Sequence, residues 1–297
     1  MRIADTHAHY DEEAFDADRD ELLRHCLPEG GVCLVVNMGA SMEGAENSAA
    51  LAQKYGYIYA GCGIHPDEVG VFEENPGAWD RLQDLLQQPK VVCVGEIGLD
   101  YHWMVRPKEI QKKWFRRQMQ LASELHMPVN IHSREAAQDT FDLIRAQFMA
   151  EGGTERILST SAGTAVRVME NAACLPGSGT GPAAGAHSGG IIHCYSGSVE
   201  MAREYVKMGW HIGIGGVVTF KSAKTLKKVT ADIPLERIVT ETDCPYMAPE
   251  PHRGTRNDSR NIRYVIETIA ALQGIDADAC GKVLWKNACE VYRISEI

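Results

Sequence analysis

Six short runs of apolar and β-branched residues, each closing on a polar cluster, recur along the chain and constrain its fold more than any other feature. They cover residues 2–6, 32–37, 57–64, 91–96, 129–132 and 191–194, and two more follow at 210–214 and 237–242. Helical periodicity fills the gaps. Leu22, Leu23 and Cys26 begin one helix, and Trp114, Phe115, Met119, Leu121 and Leu125 mark another. Phe141, Leu143, Ile144 and Phe148 mark a third, and Val265, Ile266, Ile269 and Leu272 a fourth. Strands that alternate with helices form a parallel sheet. Eight of them favour a closed barrel, so the expected class is α/β, a single (β/α)₈ TIM-type barrel. A doubly wound open sheet is the competing architecture, but no Gly-x-Gly-x-x-Gly follows the first strand.

The spacing of strand ends refines this picture. A barrel of this type takes about 250 residues, or roughly 30 per unit. The 297-residue chain therefore fits one domain over 1–297 with an insertion. Glu96 and His132 are 36 positions apart, one unit, whereas His132 and His193 are 61 apart where one unit is expected. The excess lies in 151–190, and its second half, from 176, is rich in Gly, Ala and Ser. It is expected to be an inserted loop before strand six, on the N-terminal face of the barrel.

Bulk composition excludes several classes. No run approaches the roughly 18 apolar residues of a membrane span. The N-terminal residues carry no basic region, apolar stretch or cleavage site, so a cytoplasmic protein is expected. Nine cysteines without C-x-x-C pairs read as reduced thiols. A formal charge of -10 argues against holding nucleic acid by overall charge. Phosphate, if handled, must be met locally, by metals and a few arginines.

Donor residues cluster at the strand ends. His7 and His9 are two apart on a strand, so both side chains point the same way and can grip one ion. Glu96, His132, His193 and Asp243 each close a later strand. Active sites of such barrels sit at that C-terminal rim. Six donors exceed one tetrahedral ion and suit two ions about 3.5–4 Å apart with a carboxylate between them. Glu96, on the middle strand of the set, is the expected bridge. His7 and His9 would hold one ion, His132 and His193 the other, and Asp243 would face the bridging water. The mixed N/O set suits Zn, Mn, Ni, Co or Fe, and less clearly Mg.

These residues resemble the TatD-type metal-dependent deoxyribonucleases of the amidohydrolase-like superfamily. The matching motifs are DTHAHY at 5–10, GIHP at 63–66, VGEIGLDY at 94–101, NIHSREA at 130–136, HCYSGS at 193–198, GIGGVVTFK at 213–221 and ETDCPYMAPEPHRGTRND at 241–258. The resemblance runs nearly end to end outside 151–190. It implies a (β/α)₈ fold, metal roles for His7, His9, Glu96, His132, His193 and Asp243, and phosphodiester hydrolysis of nucleic acid. The implied activity is a deoxyribonuclease of the 3′–5′ exonuclease type. Substrate-side roles fall to His65, Arg134 and the 253–257 segment with Arg253 and Arg256. The insertion departs from the pattern and bears on substrate size.

The leading expectation is thus a water activated between two metal ions, with Glu96 and Asp243 as the catalytic carboxylates and Asp243 taking the proton. Two alternatives stay open. The same site can hydrolyse an amide or ester, as in an aminoacyl-tRNA deacylase, or the chain can be a non-catalytic metal-binding scaffold. Glu241 shares the inward face with Asp243 and is placed to hold a ligand histidine. Asp100 and Tyr101 orient a ligand, line the pocket or form a turn. Lys108, Lys112, Lys113, Arg116 and Arg117, near Trp103 and Trp114, read as a solvated helix face in preference to a nucleic-acid track. Arg260 and Arg263 read the same way. Cys194 and Cys244 are expected to point away from the site by strand alternation. His25, His102, His126, His187, His211 and His252 are assigned no chemistry.

Overall fold

The computed structural model describes residues 1–159, 165–170 and 189–295. Eight parallel strands form one sheet: β1 (Ile3–Ala8), β2 (Val32–Gly39), β3 (Ile58–Cys62), β4 (Val91–Asp100), β5 (Val129–Arg134), β8 (Gly190–Ile192), β9 (His211–Ile214) and β10 (Ile238–Thr240). They pair in chain order, and helices connect them to give a (β/α)₈ barrel.

The seam between β10 and β1 is closed largely by side chains. Ala8 and Cys244 form an isolated parallel bridge, and the His9 amide donates to the Cys244 carbonyl at 2.9 Å. Below it, Thr6 Oγ1 donates to the Thr240 carbonyl at 3.0 Å, and Thr240 Oγ1 to the Ala4 carbonyl at 2.9 Å. Buried Asp5 accepts from Thr242 Oγ1 and Ser259 Oγ, both at 2.6 Å. Burial lifts the Asp5 carboxyl to about 7 against these hydrogen bonds.

Side-chain alternation divides the core in two. Val35, Ile58 and Ile131 face the surrounding helices, meeting Leu85, Phe115 and Ile144. Leu34, Val36, Cys93, Ile191 and Val239 fill a second cluster. That cluster also takes Trp285, Ala288, Cys289 and Tyr292 from the last helix, Ala277–Tyr292. Asn287 Nδ2 fixes this helix to the Leu235 and Ile238 carbonyls at the start of β10, and the Arg2 guanidinium lies 4.0 Å over the Trp285 ring. The helix therefore plugs the N-terminal mouth and leaves the C-terminal mouth for chemistry.

The expected inserted loop before the sixth barrel strand begins as something more regular. β6 (Thr154–Ser159) and β7 (Ala165–Glu170) form an antiparallel pair separate from the barrel sheet. It follows helix Ala137–Ala150, which returns the chain to the N-terminal face. Residues 160–164 and 171–188, with His187 and most of the Gly/Ala/Ser-rich run, lie outside the described residues.

Candidate metal centre

Five of the six expected donors converge at the C-terminal rim around Glu96. His7 Nε2 and His9 Nε2 are 3.0 Å apart, so two lone pairs aim at one point. His7 Nε2 lies 3.5 Å from Glu96 Oε2, and His9 Nε2 lies 3.9 Å from the same oxygen. The other oxygen meets the later histidines: Glu96 Oε1 is 2.8 Å from His132 Nδ1 and 4.0 Å from His193 Nε2, whose ring stacks on His7 with centres 3.5 Å apart. Asp243 Oδ1 stands 3.3 Å from His9 Nε2 and 3.8 Å from both His7 Nε2 and His193 Nε2. His132 is the sixth donor. It meets the cluster through Glu96 alone among these carboxylates, on the side toward His65 and Asp100.

Each imidazole is held by its other nitrogen. His7 Nδ1 donates to Asn130 Oδ1 at 2.9 Å, and His9 Nδ1 to the Met38 carbonyl at 2.9 Å. His132 Nε2 meets Asp100 Oδ2 at 3.0 Å. His193 Nδ1 is 3.1 Å from Glu241 Oε2, a short contact without aligned hydrogen-bond geometry. Such partners fix the ring and leave the remaining nitrogen free for an ion. The supports reach further. Asn130 Nδ2 donates to Tyr292 Oη at 3.1 Å, and Tyr292 Oη donates to the Thr6 carbonyl at 2.8 Å, so the plugging helix braces His7 from below. Gln111 grips the backbone N–H and C=O of Asp100, and Gln118, two turns along the same helix, grips those of Ile64.

Backbone shape matters at three places. Gly98, with φ 151°, lies directly against the His132 carbonyl, where any side chain would collide. Asp243 and Cys194 adopt left-handed φ values of 56° and 45°, which turn both past the ends of their strands.

The electrostatics fit a divalent cation. Burial alone would raise the Glu96 carboxyl, but His7 and His132 hold it well below the carboxylate range. Burial would lower His9, yet the Asp243 and Glu96 carboxylates lift it to about 10. His132 and His193 rise to about 9 and about 8 against burial, through Asp100 with Glu96 and through Glu241 with Asp243. Among the described residues, the ion-pair partners of Glu96 and Asp243 are all histidines. One buried and one half-buried carboxylate call for positive charge, and a divalent cation supplies it without protonating the rings that would ligate it.

The sequence model of the TatD-related DNases matches residues 4–293. The chain belongs to the TatD-related DNase family. It is 35% identical over 293 residues to the uncharacterized metal-dependent hydrolase YabD of Bacillus subtilis (strain 168), covering 99% of this chain and 100% of the relative. Among solved structures, the TatD homologue YjjV of Escherichia coli K12 superposes with a TM-score of 0.80 at 26% identity, covering 99% of each chain. A TatD-family hydrolase from Entamoeba histolytica shares the fold, with a TM-score of 0.77 at 19% identity over 99% of each chain. The chain is thus a TatD-family metal-dependent hydrolase. Among the described residues, no helix is long and apolar enough to cross a membrane.

Other residues of this TatD-family chain fall partly where expected. His65 packs edge-on against His132, ring centres 4.4 Å apart. Burial and His132 lower it to about 4, and its Nδ1 accepts from the Asp67 amide at 3.3 Å, so it is neutral with a proton on Nε2. Arg134 is exposed, its guanidinium 5.4 Å over the Trp103 ring. Arg253 is exposed and lies 4.4 Å over Phe220. Arg256 departs from the expectation of a phosphate contact. Its two terminal nitrogens pair with both Asp18 oxygens at 2.7 and 2.6 Å, so its fork is already filled by a carboxylate. Asn257 is buried and donates to the Thr242 and Tyr246 carbonyls. Asp100 both orients His132 and caps the following turn, and Tyr101 Oη donates to Asp139 at 2.6 Å.

Lys112 pairs with Asp139 and Lys113 with Glu73, as a solvated helix face would. Arg260 pairs with Asp258, and exposed Arg263 with the Tyr264 hydroxyl. Cys244 lies away from the donors, but Cys194 corrects the expectation from strand alternation. β8 ends at Ile192, and the left-handed turn brings Cys194 Sγ within reach of the His193 and Glu241 donors. Asn130, the Met38 carbonyl, Tyr292, Gln111 and Gln118 were not singled out from the sequence. Only Asn130, alternating with His132 on one strand, carried a signal there.

Proposed function

We propose that this chain is a deoxyribonuclease of the 3′–5′ exonuclease type that hydrolyses phosphodiester bonds, and that its rim donors would hold two divalent cations with Glu96 shared between them. The observation that carries the two-ion reading is the division of one carboxylate. Glu96 Oε2 faces His7 and His9, while Oε1 faces His132 and His193. His7, His9 and Asp243 form one set of donors, and His132 with His193 the other. The donor types accept Zn, Mn, Ni, Co or Fe, and Mg less readily. When bound, such a pair supplies a nucleophile from water at neutral pH and offsets the charge that builds on the phosphoryl oxygens.

The side chains have separable tasks. Asp243, the most exposed of the carboxylates at the cluster, is held below its usual range by His9 and His193 against burial. It is therefore ionised and accepts the proton of the attacking water. His65 offers its Nε2–H to a phosphoryl oxygen as a neutral donor. Arg134 and Arg253, exposed beyond the strand ends, meet phosphates of the strand. Arg256 serves as a clamp to Asp18. The nuclease assignment rests on family membership and on these cationic groups beside the rim, and its direction on the resemblance of the sequence motifs alone.

The test is cleavage by chelated and metal-reloaded protein of end-labelled single- and double-stranded DNA, RNA, and a panel of small esters and amides. A ladder shortening from the 3′ end of DNA is expected. Turnover of an ester or amide with every nucleic acid left intact would replace this reading.

A further inference from the structure

Two large aromatic side chains at the C-terminal rim are left in solvent. Trp103 is 63% exposed and Tyr246 is 54% exposed. Neither is a stray surface residue, because each is tied to the donor cluster by a short link. The Trp103 amide donates at 3.0 Å to Asp100 Oδ1, and Oδ2 of the same carboxylate holds His132. The Tyr246 amide donates at 2.9 Å to the carbonyl of Asp243, and Asn257 fastens the Tyr246 carbonyl from behind. Trp103 follows β4 and Tyr246 follows β10, the fourth and eighth strands of an eight-stranded ring. Trp103 and Tyr246 therefore follow strands on opposite sides of the mouth.

Arg134 adds the chemistry that separates a stacking platform from a merely exposed ring. Its guanidinium lies over Trp103, two residues beyond His132. A flat aromatic face beside a guanidinium suits a nucleobase joined to a phosphate. Overall charge points the same way. A chain of formal charge -10 cannot draw in a polyanion by its general field, so affinity must come from short-range contacts.

We infer that Trp103 and Tyr246 are specificity-determining residues that stack the nucleobases on either side of the scissile phosphodiester, with Arg134 on the adjacent phosphate. This rests on the nucleic-acid reading above and names the side chains that would hold the bases beside the scissile bond.

The experiment measures binding of a phosphorothioate-linked single-stranded oligodeoxynucleotide to metal-loaded protein, by anisotropy and by tryptophan fluorescence. The parent should show quenching. Trp103→Ala and Tyr246→Ala should each weaken binding about 5- to 150-fold, the range for loss of one stacked base. Trp103→Phe should retain most of the affinity, and metal content should match the parent in all three variants. An oligonucleotide with abasic sites at the two flanking positions should lose affinity for the parent, but no further affinity for the double alanine variant. Parent-like binding by both alanine variants, or equal affinity for the abasic strand, would overturn the inference and leave the nuclease reading standing. A parent that binds no oligonucleotide while hydrolysing an ester or amide would remove both.

Discussion

The two mouths of the barrel are built from opposite ends of the same eight strands, yet they obey different rules. At the N-terminal mouth, Trp285, Ala288, Cys289 and Tyr292 pack into an apolar cluster with Leu34, Val36 and Val239. At the C-terminal mouth, the same strands run out into His7, His9, Glu96, His132 and His193, all polar, and each histidine meets a further polar group. One end spends its side chains on burial and the other on positioned lone pairs. Substitutions at the rim should therefore cost activity with little stability, and substitutions at the plug should cost stability with little change to the donors. Tyr292 joins the two regimes, packing below while its hydroxyl steadies Asn130 above.

The sharpest break should come from Asp243→Asn. The amide keeps the shape but cannot accept a proton, so DNA cleavage should fall by about 10²–10⁴-fold. Thermal unfolding should stay close to the parent, and at least one ion per chain should remain by metal analysis. Near-parental cleavage would show that another group takes the proton. At the other mouth, Trp285→Ala removes a nearly buried indole from the plug and should cost about 3–5 kcal/mol in denaturant unfolding. The fraction that stays folded should bind metal as the parent does. If metal affinity collapses while stability holds, the division between the mouths is wrong.

Much of the rim was legible from sequence because a ligand at the end of a β-rich run leaves a local mark. Glu96 after Val91–Val94 and His132 after Val129–Ile131 are such marks. The partners behind the ligands leave none. The Met38 carbonyl that orients His9 has no side-chain signature, and Tyr292 lies 162 positions from the Asn130 it supports. Arg256 looked free for phosphate because its partner, Asp18, is 238 positions away. Cys194 was misplaced because alternation holds only within a strand, and a left-handed φ follows the end of β8. The β6–β7 pair was missed because spacing reveals surplus length, not the conformation that the surplus adopts.

A smaller effect probes those silent partners. Asp100→Asn weakens the acceptor behind His132, so metal affinity should fall by about 10–100-fold in competition with a chelator. The fall should be confined to one of two binding steps, because His132 reaches the cluster on the Oε1 side of Glu96 only. An equal loss in both steps would mean that the two donor sets are not separate.

If Glu96 is shared between two ion sites, as proposed, metal stoichiometry reports it. Parent protein and Glu96→Ala, stripped by chelation, reloaded with Zn or Mn and dialysed to equilibrium, are compared by elemental analysis, with circular dichroism confirming the fold. The parent should hold two ions per chain and Glu96→Ala at most one. One ion per chain in the parent, unchanged in Glu96→Ala, would contradict the bridge.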